Sequence, residues 1–281
     1  MIKLLKTMLS DKEIIDLTNL SKDIRRQILK MIVKSEASHI APSYSIVELL
    51  VYLYEKALRI NPKKPKDPNR DIFILSKGWG VSGLYSILVH KGFFDKKLLD
   101  EYCNDGGKMI AMTTINDIPG IEATTGSAGH GLPIGAGMAM GMKLNKIDKR
   151  VYVIVGDGEC DEGAIWETAL IAAHHKLNNL IAIIDYNKWQ SFGRTNEVLN
   201  LEPLKEKWRA FNWKVQEING HNFKEIESAI NNSHLSKDSP TVIIAHTVKG
   251  KGLSIIEDNN DYHYKTPREK ELIVAKQEGL M

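Results

Sequence analysis

The sequence predicts an α/β fold, a doubly wound parallel sheet flanked by helices. Three observations carry that prediction. Val151-Tyr152-Val153-Ile154-Val155, Leu180-Ile181-Ala182-Ile183-Ile184 and Thr241-Val242-Ile243-Ile244-Ala245 are almost wholly apolar, as strands covered on both faces must be. Segments with helical spacing lie between such runs, the alternation that builds a parallel sheet. The runs are also followed by polar residues, Asp157, Asn187 and Lys249, at the edge where such sheets collect ligands.

Taken in order, the first element is a helix over residues 14–33, with Ile14, Leu17, Ile24, Ile28 and Ile32 at helical spacing and Ser10 or Asp11 as its cap. A polar break at Ser38-His39 precedes a second helix over 46–58 with a broad apolar face. Pro62, Pro65 and Pro68 enforce a loop. Asp71-Ile72-Phe73-Ile74-Leu75-Ser76 reads as a short strand, followed by Lys77-Gly78 and a helix over 83–90. The strand at 151–155 leads through Gly156-Asp157-Gly158 to a helix over 164–175, and the strand at 180–185 follows. No internal repeat or low-complexity linker divides the chain. Residues 1–281 read as a single domain with a helical N-terminal segment over about 1–60.

Composition narrows the class. The chain has 281 residues, 43% hydrophobic and 26% charged, enough apolar material for a sizeable core. A net charge of +3 gives no reason to expect nucleic acid, and the densest basic stretch, Lys63-Lys64-Pro65-Lys66, reads as a solvated loop. Cys103 and Cys160 lie far apart and lack metal-site spacing, which suggests a reducing compartment. The first nine residues hold two lysines and no small-residue cleavage pattern, so they do not read as a signal peptide. The apolar runs fall well short of the roughly 20 residues a membrane span needs. The expectation is a cytoplasmic protein with neither membrane nor nucleic-acid partners.

The chemistry concentrates at Gly156-Asp157-Gly158 and Asn187. Asp157 and Asn187 are one βαβ crossover apart, a spacing that can set both side chains at the tips of neighbouring strands. A carboxylate and an amide oxygen are hard ligands suited to Mg²⁺, which typically takes one or two protein carboxylates with phosphate oxygens and water. The glycines permit close approach of a phosphate, and the helix after Gly163 aims its free N–H groups at the same place. The bland alternative is a tight turn at Gly156-Asp157-Gly158 and a loop-forming Asn187.

Gly156-Asp157-Gly158 through Asn187 resembles the thiamin-diphosphate signature. Thr125-Gly126-Ser127-Ala128-Gly129-His130-Gly131, Glu162-Gly163-Ala164-Ile165-Trp166-Glu167, Asp185-Tyr186-Asn187 and His246-Thr247-Val248-Lys249-Gly250-Lys251-Gly252 resemble the amino-terminal half of transketolases. Matching stretches run from about Arg25 to about Pro267. The resemblance implies the thiamin-diphosphate-binding fold, with thiamin diphosphate and Mg²⁺ as cofactors. It implies metal ligation by Asp157, Asn187 and the carbonyl of Trp189, and cofactor contacts from Gly126, Ala128, Gly158, Lys249, His263 and Trp79. His39 and His263 match histidines of the family's reaction site. Glu162 matches a glutamate that helps link two active sites of a dimer. The implied reaction moves a two-carbon ketol unit from a ketose to an aldose sugar.

The sequence departs from the family in three ways. It ends at Met281, before the half that carries the glutamate activating the aminopyrimidine. The resemblance therefore implies a separate C-terminal subunit in an α2β2 assembly. The family's Ser-Lys-Gly-His reads Ser76-Lys77-Gly78-Trp79, and an indole cannot shuttle a proton. An expected His-Pro is Ala111-Met112-Thr113-Thr114, the Gly-His-Pro segment is Ser38-His39-Ile40-Ala41-Pro42, and His130 stands where glutamine is usual. These changes suggest an unusual or modified sugar as substrate. Two competing readings remain: the α subunit of a 2-oxo-acid dehydrogenase E1 component, and a non-catalytic relative that keeps the fold.

Overall fold

The computed structural model describes residues 8–116 and 118–281. Residues 1–7, most of the stretch read above for a signal peptide, lie outside them. Helix α1 (Asp11–Lys34) starts where the sequence places it, with Ser10 as the cap. The Ser10 hydroxyl accepts from Glu13 N at 3.3 Å, and the Glu13 carboxylate accepts from Ser10 N at 2.9 Å. Such a box is worth about 1 kcal/mol. The buried face of α1 includes Leu17, Ile24, Ile28 and Ile32, each contributing about 1.5–3 kcal/mol by leaving water.

The expected second helix is broken into pieces. Helix α2 (Ile40–Tyr44) begins immediately after His39, and α3 (Val47–Tyr52) runs into a π-turn at Leu53–Ala57. Strand β1 (Ile72–Leu75) and helix α4 (Val81–Lys91) follow. Next comes α5 (Gly131–Leu144), which the sequence reading did not anticipate, because its glycines and Pro133 lower helix propensity. Packing explains one of those glycines: a Cβ on Gly135 would lie 2.6 Å from Val153. Strand β2 (Val151–Gly156), helix α6 (Gly163–His174) and strand β3 (Leu180–Tyr186) match expectation within two residues. Short helices α7 (Thr195–Val198) and α8 (Leu204–Ala210) precede β4 (Lys214–Asn219). Helix α9 (Phe223–Ser233), strand β5 (Thr241–His246) and helix α10 (Glu269–Gln277) complete the order.

Among the described residues the strands form one parallel sheet in the order β1-β2-β3-β5-β4. Alternate residues of the central strands enter two separate cores. Phe73, Tyr152, Ile154, Ile181, Ile183 and Ile243 face one that includes residues of α1, α3, α4 and α9. Ile74, Val151, Val153, Ala182, Ile184 and Val242 face another with residues of α5, α6 and α8. Helices on both faces confirm the doubly wound class. Strand β4 is an edge, mostly polar and exposed at Lys214, Glu217 and Asn219, so it lacks the apolar run that betrays the others.

Candidate active site

Because β2, β3 and β5 are neighbours, their carboxyl ends bring Asp157, Asn187 and the Lys249 segment to one edge. A cavity of about 480 Å³ opens there. Its walls include His39, Trp79, Ala128, Asp157, Gly158, Glu162, Asn187, Trp189, Lys249 and His263. Of the residues singled out from sequence, only Gly126 lies off the wall. With φ at +114°, it packs behind: a Cβ there would lie 2.7 Å from Met112, and one on Gly78 would lie 2.9 Å from the Gly126 backbone. The two glycines let these loops touch.

Asp157 is 2% exposed. Its carboxylate accepts from Gly158 N at 2.9 Å and Lys188 N at 2.6 Å. Burial, then the charge of Asp185, pushes its pKa up to about 7. Asn187 is also buried; its Nδ2 donates to Asp185 at 2.9 Å and its Oδ1 accepts from Trp189 N at 3.0 Å. Asp185 is fully buried, and its carboxylate also accepts from Lys77, Ser45 and Thr247. Burial opposes the Asp185 charge, but Lys77 and the hydroxyls outweigh it and hold its pKa below the usual range. Asp157 has no such cation of its own. A buried carboxylate under like-charge stress, beside an amide oxygen, is a donor set that fits a divalent cation. Hard oxygen donors without thiolates or imidazoles favour Mg²⁺ over Zn²⁺.

Lys249, His39 and His263 also line the cavity. Lys249 is 1% exposed, and its ammonium bonds to Asn260 Oδ1 at 2.6 Å, His263 Nδ1 at 2.9 Å and the Gln190 carbonyl at 3.4 Å. These partners are all neutral acceptors. Burial first, and Lys77 second, lower the Lys249 pKa to about 7. Burial and Lys249 depress His263 to about 3 and His39 to about 4, so both rings are neutral at pH 7. Their centroids lie 5.1 Å apart, and His39 N donates to the His263 carbonyl at 3.0 Å. His39 holds φ at +70°, a left-handed conformation in which histidine is enriched among non-glycine residues. A buried amine whose hydrogen-bond partners are all neutral suits an anion such as a diphosphate.

Trp79 stands beside Gly156, 3.6 Å from where a Cβ there would sit. Glu162 is exposed at the N-cap of α6 and does not cap with its side chain. Sequence reasoning missed Glu159, whose carboxylate ties three loops together. It accepts from Ser76 Oγ at 2.6 Å, Gly129 N at 3.0 Å and Gly156 N at 2.7 Å. Lys77 and Asp185 were missed as a pair because 108 positions separate them. A charged residue at the end of an apolar strand run was the available signal.

The family model for the transketolase thiamine diphosphate binding domain matches residues 17–279. The chain belongs to this transketolase family. It is 40% identical over 247 residues to one of the subunits of the apulose-4-phosphate transketolase of Phocaeicola vulgatus, covering 88% of each protein. It is 42% identical over 243 residues to a 6-deoxy-6-sulfo-D-fructose transketolase subunit from a Clostridium species, covering 86% of this chain and 88% of that one. The solved transketolase of Campylobacter jejuni superposes with a TM-score of 0.87 at 28% identity, over 96% of this chain. The chain spans only 43% of that transketolase. The transketolase match overrides the 2-oxo-acid dehydrogenase alternative. Among the described residues, no helix is long and apolar enough to cross a membrane.

Proposed function

We propose that the chain is the diphosphate-binding subunit of a two-subunit transketolase, dependent on thiamin diphosphate and Mg²⁺ and acting on an unusual or modified sugar. The observation that carries this reading is the convergence of Asp157, Asn187 and Lys249 on one cavity at three adjacent strand ends. Asp157 and Asn187, with the Trp189 carbonyl, would hold the cation. Lys249 would neutralise the diphosphate, and Gly158 and Ala128 would let it approach closely. When bound, thiamin diphosphate supplies the carbon nucleophile that lets a two-carbon ketol unit pass from a ketose to an aldehyde.

The chain's own groups do the rest. His39 and His263, both neutral at pH 7, would exchange protons with substrate hydroxyls. Trp79, Met112 and Phe192 make much of the remaining wall apolar. Substrate is oriented there by packing as well as by hydrogen bonds, which suits a sugar bearing a group the pentose phosphates lack. Two relatives named for apulose 4-phosphate and 6-deoxy-6-sulfo-D-fructose support this reading. Their names as subunits support a separate partner chain, which we take to carry the C-terminal domains in an α2β2 complex. Glu162, exposed on the isolated chain, is available to that assembly. Well-separated cysteines, Cys103 and Cys160, agree with a cytoplasmic location.

Reconstitution tests the proposal. The purified chain and a candidate C-terminal partner chain are assayed alone and mixed, with thiamin diphosphate and Mg²⁺. Ketol transfer in the mixture only, faster on a modified ketose than on xylulose 5-phosphate, is expected. Full turnover by the chain alone, or by the mixture on pyruvate-like acids instead of ketoses, overturns it.

A further inference from the structure

A cation-binding asparagine has to present oxygen, not nitrogen, and something must choose between two nearly isosteric amide orientations. In this chain the choice is made from behind. The Asp185 carboxylate, fully buried at the end of β3, accepts from Asn187 Nδ2 at 2.9 Å, from Ser45 Oγ at 2.7 Å and from Lys77. A flipped amide would turn its oxygen onto that carboxylate, oxygen against oxygen, with no proton between them. From the other side, Trp189 N donates to Asn187 Oδ1 at 3.0 Å. Lys77, also donating to the Pro42 carbonyl at 3.0 Å, holds the carboxylate in place and balances its charge.

We propose that Asp185 is a positioning residue that fixes the amide of Asn187 with its oxygen toward the cation, and that Lys77 makes the buried acid tolerable. The inference rests on the magnesium reading above. It assigns the Lys77–Asp185 pair a task in cation binding, where a buried ion pair alone would count only as scaffold. Buried pairs of this kind can often be replaced by apolar residues with little loss of stability, so stability alone does not account for it.

Two double variants separate geometry from charge. Lys77→Met/Asp185→Asn removes both charges but keeps an acceptor oxygen that can face Ser45 and Asn187. Lys77→Met/Asp185→Leu removes the same charges and the acceptor. Mn²⁺ is titrated, with electron paramagnetic resonance as readout, into the complex of the chain with its partner, saturated with thiamin diphosphate. The Asn version is expected to bind Mn²⁺ within about threefold of the unaltered protein, and the Leu version about 10- to 100-fold more weakly, the usual effect of losing an outer partner of a metal ligand. Thermal unfolding of both variants, run alongside, checks that each is folded. Equal Mn²⁺ affinity in the two variants overturns the positioning role. Failure of the unaltered complex to bind Mn²⁺ at all overturns instead the magnesium reading on which it rests.

Discussion

Glu48 and Asp157 are nearly equally buried, at 8% and 2% exposed, yet their carboxyls are driven in opposite directions. Burial raises the pKa of Glu48, but Arg25 and His221 more than reverse it and bring it down to about 2. Arg25 meets Glu48 with a two-pronged fork at 2.7 and 2.8 Å, and His221 Nδ1 adds a third bond at 2.8 Å. His221 in turn accepts from Val248 N at 2.9 Å, and Arg25 Nε donates to the Lys251 carbonyl at 2.6 Å. This cluster pins the Lys249 segment and is closed upon itself. Asp157 has two backbone N–H donors, a like charge nearby, and a pKa near 7. The contrast separates a scaffold carboxylate, saturated by its own cation, from a site carboxylate that awaits one.

Substitutions can break that contrast. The largest effect is expected at Asp157→Ala: loss of Mg²⁺-dependent thiamin diphosphate binding by more than about a hundredfold, beyond what losing an outer partner usually costs, measured by calorimetric titration of the assembled complex. Glu48→Gln should act on stability instead, because it strands a buried guanidinium at a cost of about 3–5 kcal/mol. Thermal unfolding should show a drop of roughly 10 °C, with cofactor affinity of the folded fraction nearly unchanged. Equal loss of cofactor affinity in both variants would erase the distinction.

A pH experiment sharpens it further. The folded chain lowers the Lys249 pKa from 10.5 to about 7. Between those values the unfolded state binds more protons, so Lys249 makes stability rise with pH across that window and contributes no slope outside it. An arriving anion favours the ammonium and restores the proton. At pH 8, thiamin diphosphate binding should therefore take up nearly one proton, about 0.9 from that shift, and Lys249→Met should abolish the uptake. Calorimetry in buffers of differing ionisation enthalpy measures it. The smallest effect is expected at Ser10→Ala, far from both clusters, which should cost about 1 kcal/mol and leave ligand binding unchanged in the same titrations.

The strand-tip site was legible because its parts are written locally. All-apolar strands announce themselves, and each hands over directly to Asp157, Asn187 or the Lys249 segment. Helix α1 was legible for a similar reason, its apolar period and Ser10 cap lying within one stretch. Strand β4 was hidden by its edge position, where one side lacks a neighbour and polar residues are tolerated. Helix α5 was hidden by glycines whose value lies in packing on β2, a tertiary fact. The Arg25–Glu48–His221 and Lys77–Asp185 clusters were unreadable for a third reason. Their members come from distant segments, and only the folded sheet shows that the charges neutralise each other.

The central claim is that Asp157 and Asn187 together hold a divalent cation against a diphosphate. Its most direct test is titration of thiamin diphosphate into the chain and its partner subunit, once with Mg²⁺ and once with the cation chelated. The account predicts tight binding with Mg²⁺ and little without it, and no gain from Mg²⁺ in Asp157→Ala. Cofactor binding of the same strength with and without the cation would contradict it.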